Sequence, residues 1–217
     1  FFQYILGFIV AILLNHKIKF IKFFRIVFLL PMMMSPIAVS YIVGKMIFSE
    51  TYGPLNDLLY FFNLPAFNWS LSPFKSMMLL IIIDTWQWTP FMILMILAGL
   101  QTIPNDIYEQ AEIDGASKLK SFIHITFPLM IPISSTVIFI RIIESLKVID
   151  IVRIVTGGGP GNTTESITLY AYDIGIKGGD ISYASTVAYA LLITVLIFSI
   201  LYFKLENLIS NNVNSET

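Results

Sequence analysis

The stretch FKSMMLLIIIDTWQWTPFMILMILAGL, residues 74–100, decides the fold. It exceeds the roughly 20 residues that a helix needs to cross about 30 Å of hydrocarbon. Its only charges are Lys75 near one end and Asp84 inside. Aliphatic blocks such as MMLLIII (77–83) lack the alternation of a lipid-facing β-strand, so the segment reads as a transmembrane helix. Residues 1–14, 24–48, 127–146 and 183–203 are four further apolar runs, of which the first is the shortest. The expectation is an all-α, polytopic transmembrane bundle with five spans.

Composition agrees. Of 217 residues, 56% are hydrophobic and 12% charged, about half the charged share of a soluble domain at roughly 25%. Lys and Arg number 13 against 14 Asp and Glu, which leaves no basic field for a nucleic-acid backbone. The absence of cysteine excludes disulfides, thiolate metal sites and cysteine nucleophiles. His16 and His124 have no partner at metal-ligand spacing, so no metal site is expected. No acid–His pair or serine dyad sits within a span, so no catalytic residue is expected either. Met33, Met34 and the many Phe residues read as lipid-facing or core filler.

Orientation follows from the loops, because Lys and Arg near span ends stay on the cytoplasmic side. Lys17, Lys19, Lys22 and Arg25 have no acid among them, whereas residues 49–73 carry Glu50 and Asp57 and no Lys or Arg. The first loop is therefore inside. Alternation places 101–126 inside, 147–182 outside and the tail from Lys204 inside. The sequence opens at Phe1 within an apolar run and without a secretory signal, so at least one upstream span is expected. Pro31 and Pro36 in the second span and Pro90 in the third are expected as packing kinks. TGGGPGN (156–162) lacks the Gly-Lys-Ser/Thr ending of a nucleotide loop and reads as a tight outer turn.

The inner connection, IPNDIYEQAEIDGASKLKSFIHITFPLMIP (103–132), has its own structure. Pro104 stops the preceding helix, and Asn105 or Asp106 is expected to cap a new one with acids Asp106 and Glu109 near its start. Gly115 permits a turn, and 116–126 resumes helical spacing with Leu119, Phe122, Ile123 and Thr126 on one stripe. Periodicity alone leaves open whether this helix–turn–helix rests on headgroups or on a protein.

Glu109-Gln110-Ala111, Asp114-Gly115-Ala116, Phe122, Ile125, Pro128 and Pro132 resemble the EAA motif of membrane subunits of binding-protein-dependent ABC importers. FFRIVFLLP (23–31), TYGPLNDLL (51–59), DTWQWTPF (84–91), LAGLQTIP (97–104), TGGGPGNTTE (156–165) and Asn15-His16-Lys17 are similar to the sugar and glycerol-phosphate, maltose-type permeases of that class. Gln110 departs from the Ala most often found there.

The resemblance implies a MetI-like permease fold over one domain, 1–217, in a bacterial or archaeal cytoplasmic membrane. It implies that 101–126 couples to a cytoplasmic ATPase through Tyr108, Glu109, Ala111, Asp114, Gly115 and Ala116, and that the glycine-rich run 156–165, within the extracytoplasmic region 147–182, faces a solute-binding protein. A second, similar permease subunit completes the implied heterodimer. No cofactor is expected in this chain; ATP and Mg belong to the ATPase.

Three ionisable groups lie inside spans, Asp84, Arg141 and Glu144, each costing roughly 2.5–3.5 kcal/mol unless paired or wetted. At about 1.5 Å per residue, Asp84 lies roughly 14 Å inside Lys75 and Arg141 roughly 9 Å inside Lys147, in the same outer half. Helical spacing puts Asp84, Gln87 and Trp88 on one face, and Arg141, Glu144 and Ser145 on another. A sugar site wants hydrogen-bonding groups beside an aromatic ring, and these faces supply both. The plainer alternative pairs Arg141 with Glu144 along their own helix and bonds Asp84 to a neighbour. In maltose-type permeases the sugar contacts flank the EAA loop, which matches these two spans. The expected function is ATP-driven import of a sugar or related polyol phosphate. The alternatives are another small solute, such as an amino acid, or an ion-coupled secondary carrier.

Overall fold

A computed structural model describes residues 1–15 and 21–215, with the side chains of 1–15 and 22–204. His16, Lys17 and Lys19, part of the basic-loop and motif readings, lie outside the described residues. The regular structure described is helical throughout. In chain order it comprises α1 (Phe2–Asn15), α2 (Ile21–Met33), α3 (Pro36–Ile47), α4 (Pro54–Phe61) and α5 (Pro73–Leu100). α6 (Asn105–Ile113), α7 (Lys118–Leu146), α8 (Ile167–Tyr172) and α9 (Ile181–Ser215) follow.

All five apolar runs fold as helix. α5, α7 and α9 are each long and apolar enough to cross a membrane, and α1 is shorter. The second run is not the single kinked helix expected: α2 and α3 meet at 93°. The cause is Pro36, whose ring drives the preceding residue out of the helical region, and Ser35 sits at φ −59, ψ 138. Pro31 and Pro90 instead lie inside helices that continue past them.

The inner segment also differs in two respects. No separate helix spans 116–126, because α7 runs from Lys118 through the fourth span without a break, widening to a π-helical turn over Phe122–Thr126. Within its stripe Phe122 and Thr126 turn toward protein while Leu119 and Ile123 stay exposed. Pro104 is itself the N-terminal flanking residue of α6, and neither Asn105 nor Asp106 caps it with a side chain.

α5 is the mast of the bundle. Its second half packs with α1 and α7 in one apolar cluster, from Phe8, Ala11 and Leu14 through Ile93, Ile96 and Leu100 to Met130 and Val137. Its first half joins α3 and the outer loops in another, with Val39, Val43, Leu79, Ile83, Val152 and Leu169. Close approach of α1 to α5 depends on Gly7, where a Cβ would lie 2.4 Å from Met92 Cβ. Lipid-facing character is plainest in α9, whose apolar residues Leu192, Ile193, Leu196 and Ile197 are all exposed.

Leu14, Arg25 and Gln101 meet around one recess at one end. Glu50, Tyr52, Trp69, Thr156 and Gly159 meet around a cleft at the other.

Candidate functional site

Between the two apolar clusters of α5, at the turn that carries Asp84, three helices exchange polar contacts. Arg141 on α7 is 7% exposed and its Nη2 donates to Asp84 Oδ2 in an interhelical ion pair. Its Nε donates to Gln3 Oε1 at 2.7 Å. Gln3, on α1, returns its amide Nε2 to Asp84 Oδ2 at 2.6 Å and to the Asp84 carbonyl at 3.1 Å. The Arg141 guanidinium carbon lies 4.8 Å from the centre of the Trp88 ring, a cation–π contact worth roughly 1–2 kcal/mol when water is excluded. The charge in the span is thus matched on three sides, as a low-dielectric setting demands.

This arrangement settles the alternative pairing. Arg141 does not pair with Glu144, whose Oε1 instead takes Lys147 Nζ at 2.7 Å on an exposed edge. Arg141 points into the bundle and Glu144 toward its rim, so the buried cation takes the carboxylate on the facing helix.

A recess of about 200 Å³ opens beside the ion pair, lined by Asp84, Trp88, Arg141, Glu144, Lys147 and Asp150. Four of the six predicted solute-contacting residues therefore share one wall: Asp84, Trp88, Arg141 and Glu144. The other two do not line it. Gln87 is 2% exposed and turns to the α2–α3 elbow, where its Nε2 lies 3.5 Å from the Met34 carbonyl. Ser145 is exposed and donates to the Ile142 carbonyl of its own helix at 2.7 Å. Gln3 escaped the sequence reading, although an amide within FFQYILG was a signal, since a lone polar group in a span needs a partner.

At the opposite end α6 stands clear of the bundle, with none of its residues buried. Its C-terminus closes as a Schellman motif: the Ala116 N–H donates to Ala111 O at 2.9 Å and the Gly115 N–H to Glu112 O at 3.0 Å. Gly115 holds φ +75, and nothing lies within 4 Å of where its Cβ would be. Tyr108 fixes α6 to the root of α7 through a 2.9 Å hydroxyl contact with Thr126. The six predicted coupling residues divide accordingly. Tyr108, Ala111 and Ala116 are partly buried on the anchoring side, and Glu109, Asp114 and Gly115 are exposed.

On the far end a cleft of about 480 Å³ lies between α3, the 49–52 and 69–70 segments and the glycine-rich turn. That turn is drawn closed by the Thr156 and Thr164 hydroxyls at 2.9 Å and by the Thr164 N–H donating to Gly158 O at 3.0 Å.

Helices of this length and apolarity, with a paired charge buried between them and a polar helix standing off at one end, define a polytopic helical membrane protein. Residues 3–213 match the family described as binding-protein-dependent transport system inner membrane component, and the chain belongs to that family. It is accordingly a multi-pass transport component of the cytoplasmic membrane and not an enzyme.

Among its relatives is the trehalose/maltose transport system permease protein MalF of Thermococcus litoralis, 38% identical over 92% of this chain and 67% of that protein. The arabinooligosaccharides transport system permease protein AraP of Bacillus subtilis is 32% identical over 91% of this chain and 64% of that one. The chain thus spans about two thirds of the length of the curated relatives it matches. In fold it is similar to a chain of a bacterial alginate ABC transporter solved in complex with an alginate pentasaccharide-bound periplasmic protein. The TM-score is 0.81 at 21% identity, over 91% of this chain and 69% of that one.

Proposed function

We propose that this chain is the membrane-spanning permease subunit of an ATP-driven importer that carries a mono- or oligosaccharide, or a related polyol phosphate, into the cytoplasm. The observation that carries the proposal is α6. A short helix exposed along its outer side, tied to α7 by Tyr108 and ended by a left-handed Gly115, is a peg, and its residues carry the EAA pattern. A cytoplasmic ATPase pair that closes on ATP would grip Glu109, Asp114 and Gly115 and move the peg, and α7, continuous with it across a short turn, would carry that motion into the bundle.

The remaining parts take roles by position. Residues 101–126 face the cytoplasm and 147–182 face an extracytoplasmic solute-binding protein; a second, similar permease subunit completes the pore. Asp84, Trp88, Arg141 and Glu144 offer a solute hydroxyl groups of both polarities beside an indole ring. Gln87 braces the α2–α3 elbow through the Met34 carbonyl, and Ser145 takes no part in the recess. ATP and Mg are used by the ATPase alone. Sugar as cargo is supported by relatives named for trehalose/maltose and arabinooligosaccharide transport.

An ion-coupled carrier fits less well, since it leaves the EAA pattern of α6 without a role. The test is uptake of labelled maltose, trehalose and arabinooligosaccharides into liposomes holding the permease with its neighbouring ATPase and solute receptor. Uptake that requires internal ATP and survives a protonophore supports the proposal. Uptake that persists without ATP and collapses with the ion gradient overturns it.

A further inference from the structure

At the inner end of the bundle, α1, α2 and α5 leave a recess of about 190 Å³ whose walls include Leu14, Leu29, Ile93, Leu94 and Leu97. Two polar residues stand at it, Arg25 and Gln101. Arg25 is the unusual one. Its Nη2 reaches only to the Leu14 carbonyl, at 3.5 Å, and its Nε is buried without a hydrogen-bond partner among the described residues. A guanidinium carries five donors in a planar fork and is costly to leave unmatched away from water. No carboxylate pairs with it among the described residues. Lys22 precedes Arg25 on α2, while the acids of the 101–126 segment, Asp106, Glu109, Glu112 and Asp114, are all exposed on α6 and its C-terminal turn. Among the described residues, then, no side-chain anion neutralises Arg25.

A ligand for this recess must be anionic where it meets Arg25 and aliphatic where it meets the leucines. We propose that it holds an anionic phospholipid of the inner leaflet, its phosphate on the Arg25 guanidinium and one acyl chain against Leu29, Ile93, Leu94 and Leu97. Basic pockets between membrane helices on the cytoplasmic side suit such headgroups, and the Arg fork fits a phosphate in bidentate fashion. Gln101 adds a donor for a second headgroup oxygen. The lipid would join three helices at the end from which α6 springs, completing the contact that Arg25 begins with the last turn of α1. The assignment depends on residues 16–24 and 101–126 facing the cytoplasm, and does not depend on the identity of the cargo.

The test is native mass spectrometry of the full chain, purified from membranes and stripped of lipid. It is titrated with phosphatidylglycerol, with phosphatidylcholine of the same chains, and with inorganic phosphate. The expected result is one phosphatidylglycerol held about fivefold or more tightly than phosphatidylcholine, with Arg25→Gln erasing the preference and phosphate failing to displace the lipid. Leu97→Trp, which fills the recess and keeps Arg25, should also abolish the bound lipid while the thermal transition stays cooperative. Equal retention of both lipids, or an undiminished preference in Arg25→Gln, overturns the proposal. Displacement by millimolar inorganic phosphate overturns it in favour of a free-anion site. Because these readouts need neither ATPase nor solute, failure of sugar uptake leaves them interpretable.

Discussion

Gln3 clasps both members of the buried ion pair: its amide oxygen accepts from Arg141 Nε at 2.7 Å while its amide nitrogen donates to Asp84 Oδ2 at 2.6 Å. One side chain on α1 thereby fixes the facing angle of α5 against α7. Gln3→Leu keeps the volume and removes these two bonds and the third to the Asp84 carbonyl, leaving a guanidinium N–H and a carboxylate oxygen short of partners. A loss of about 2 kcal/mol is expected, read as a lowered melting temperature in detergent. A Gln3→Leu protein as stable as the parent would show that the clasp contributes nothing.

Asp84 and Arg141 should act as one unit. Either Asp84→Ala or Arg141→Ala strands a charge largely withdrawn from water, Asp84 being the more open of the two, and is expected to cost about 2–3 kcal/mol. The double variant should cost clearly less than the two together, with a coupling energy of about 1–3 kcal/mol in a thermodynamic cycle. Both single variants should also lower solute uptake in proteoliposomes while the subunits still assemble. Additive stabilities combined with unchanged uptake kinetics would remove the pair from both roles.

Gly115 separates strain from contact. Its φ of +75 costs a β-carbon about 1 kcal/mol, yet no atom stands in the way of one. Gly115→Ala should therefore fold nearly normally. Gly115→Asp and Glu109→Lys place bulk and altered charge on the exposed side of α6, and co-purification of the ATPase should fall severalfold with insertion unaffected. ATPase recovery at the parental yield would refute the peg.

Two glycines at helix contacts should respond unequally. At Gly7 the intruding atom would meet Met92 Cβ at 2.4 Å and the Ile93 backbone at 3.3 Å, so Gly7→Val should cost about 1–3 kcal/mol. At Gly99 the nearest atoms are side-chain ends, Ile133 Cδ1 at 2.7 Å and Met130 Cε at 2.9 Å, which can rotate aside. Gly99→Ala should lower the melting temperature less than Gly7→Val, and the reverse order would contradict this packing.

The apolar runs were readable because hydrocarbon imposes a length and forbids unpaired backbone. The same positional arithmetic put Asp84 and Arg141 at one depth, and they touch. Where reading failed, the answer lay in three dimensions. Spacing made Glu144 a candidate partner for Arg141, but only packing shows Arg141 turned inward and Glu144 outward. Gln3 was overlooked because its value lies entirely in partners distant in sequence. The Pro36 elbow had a local cause, the bias of the residue before proline, and was legible in kind though not in its 93° extent. The run from Lys118 into the fourth span was divided in two because its polar start masks a continuous helix.

The right angle at Ser35 bears on how the protein is made. Hydrocarbon offers no donor to a carbonyl exposed at such a bend, and the side chain that reaches that of Met34, Gln87 at 3.5 Å, belongs to α5, a segment synthesised later. The second crossing therefore leaves the ribosome before the residue that its bend leans on has been made.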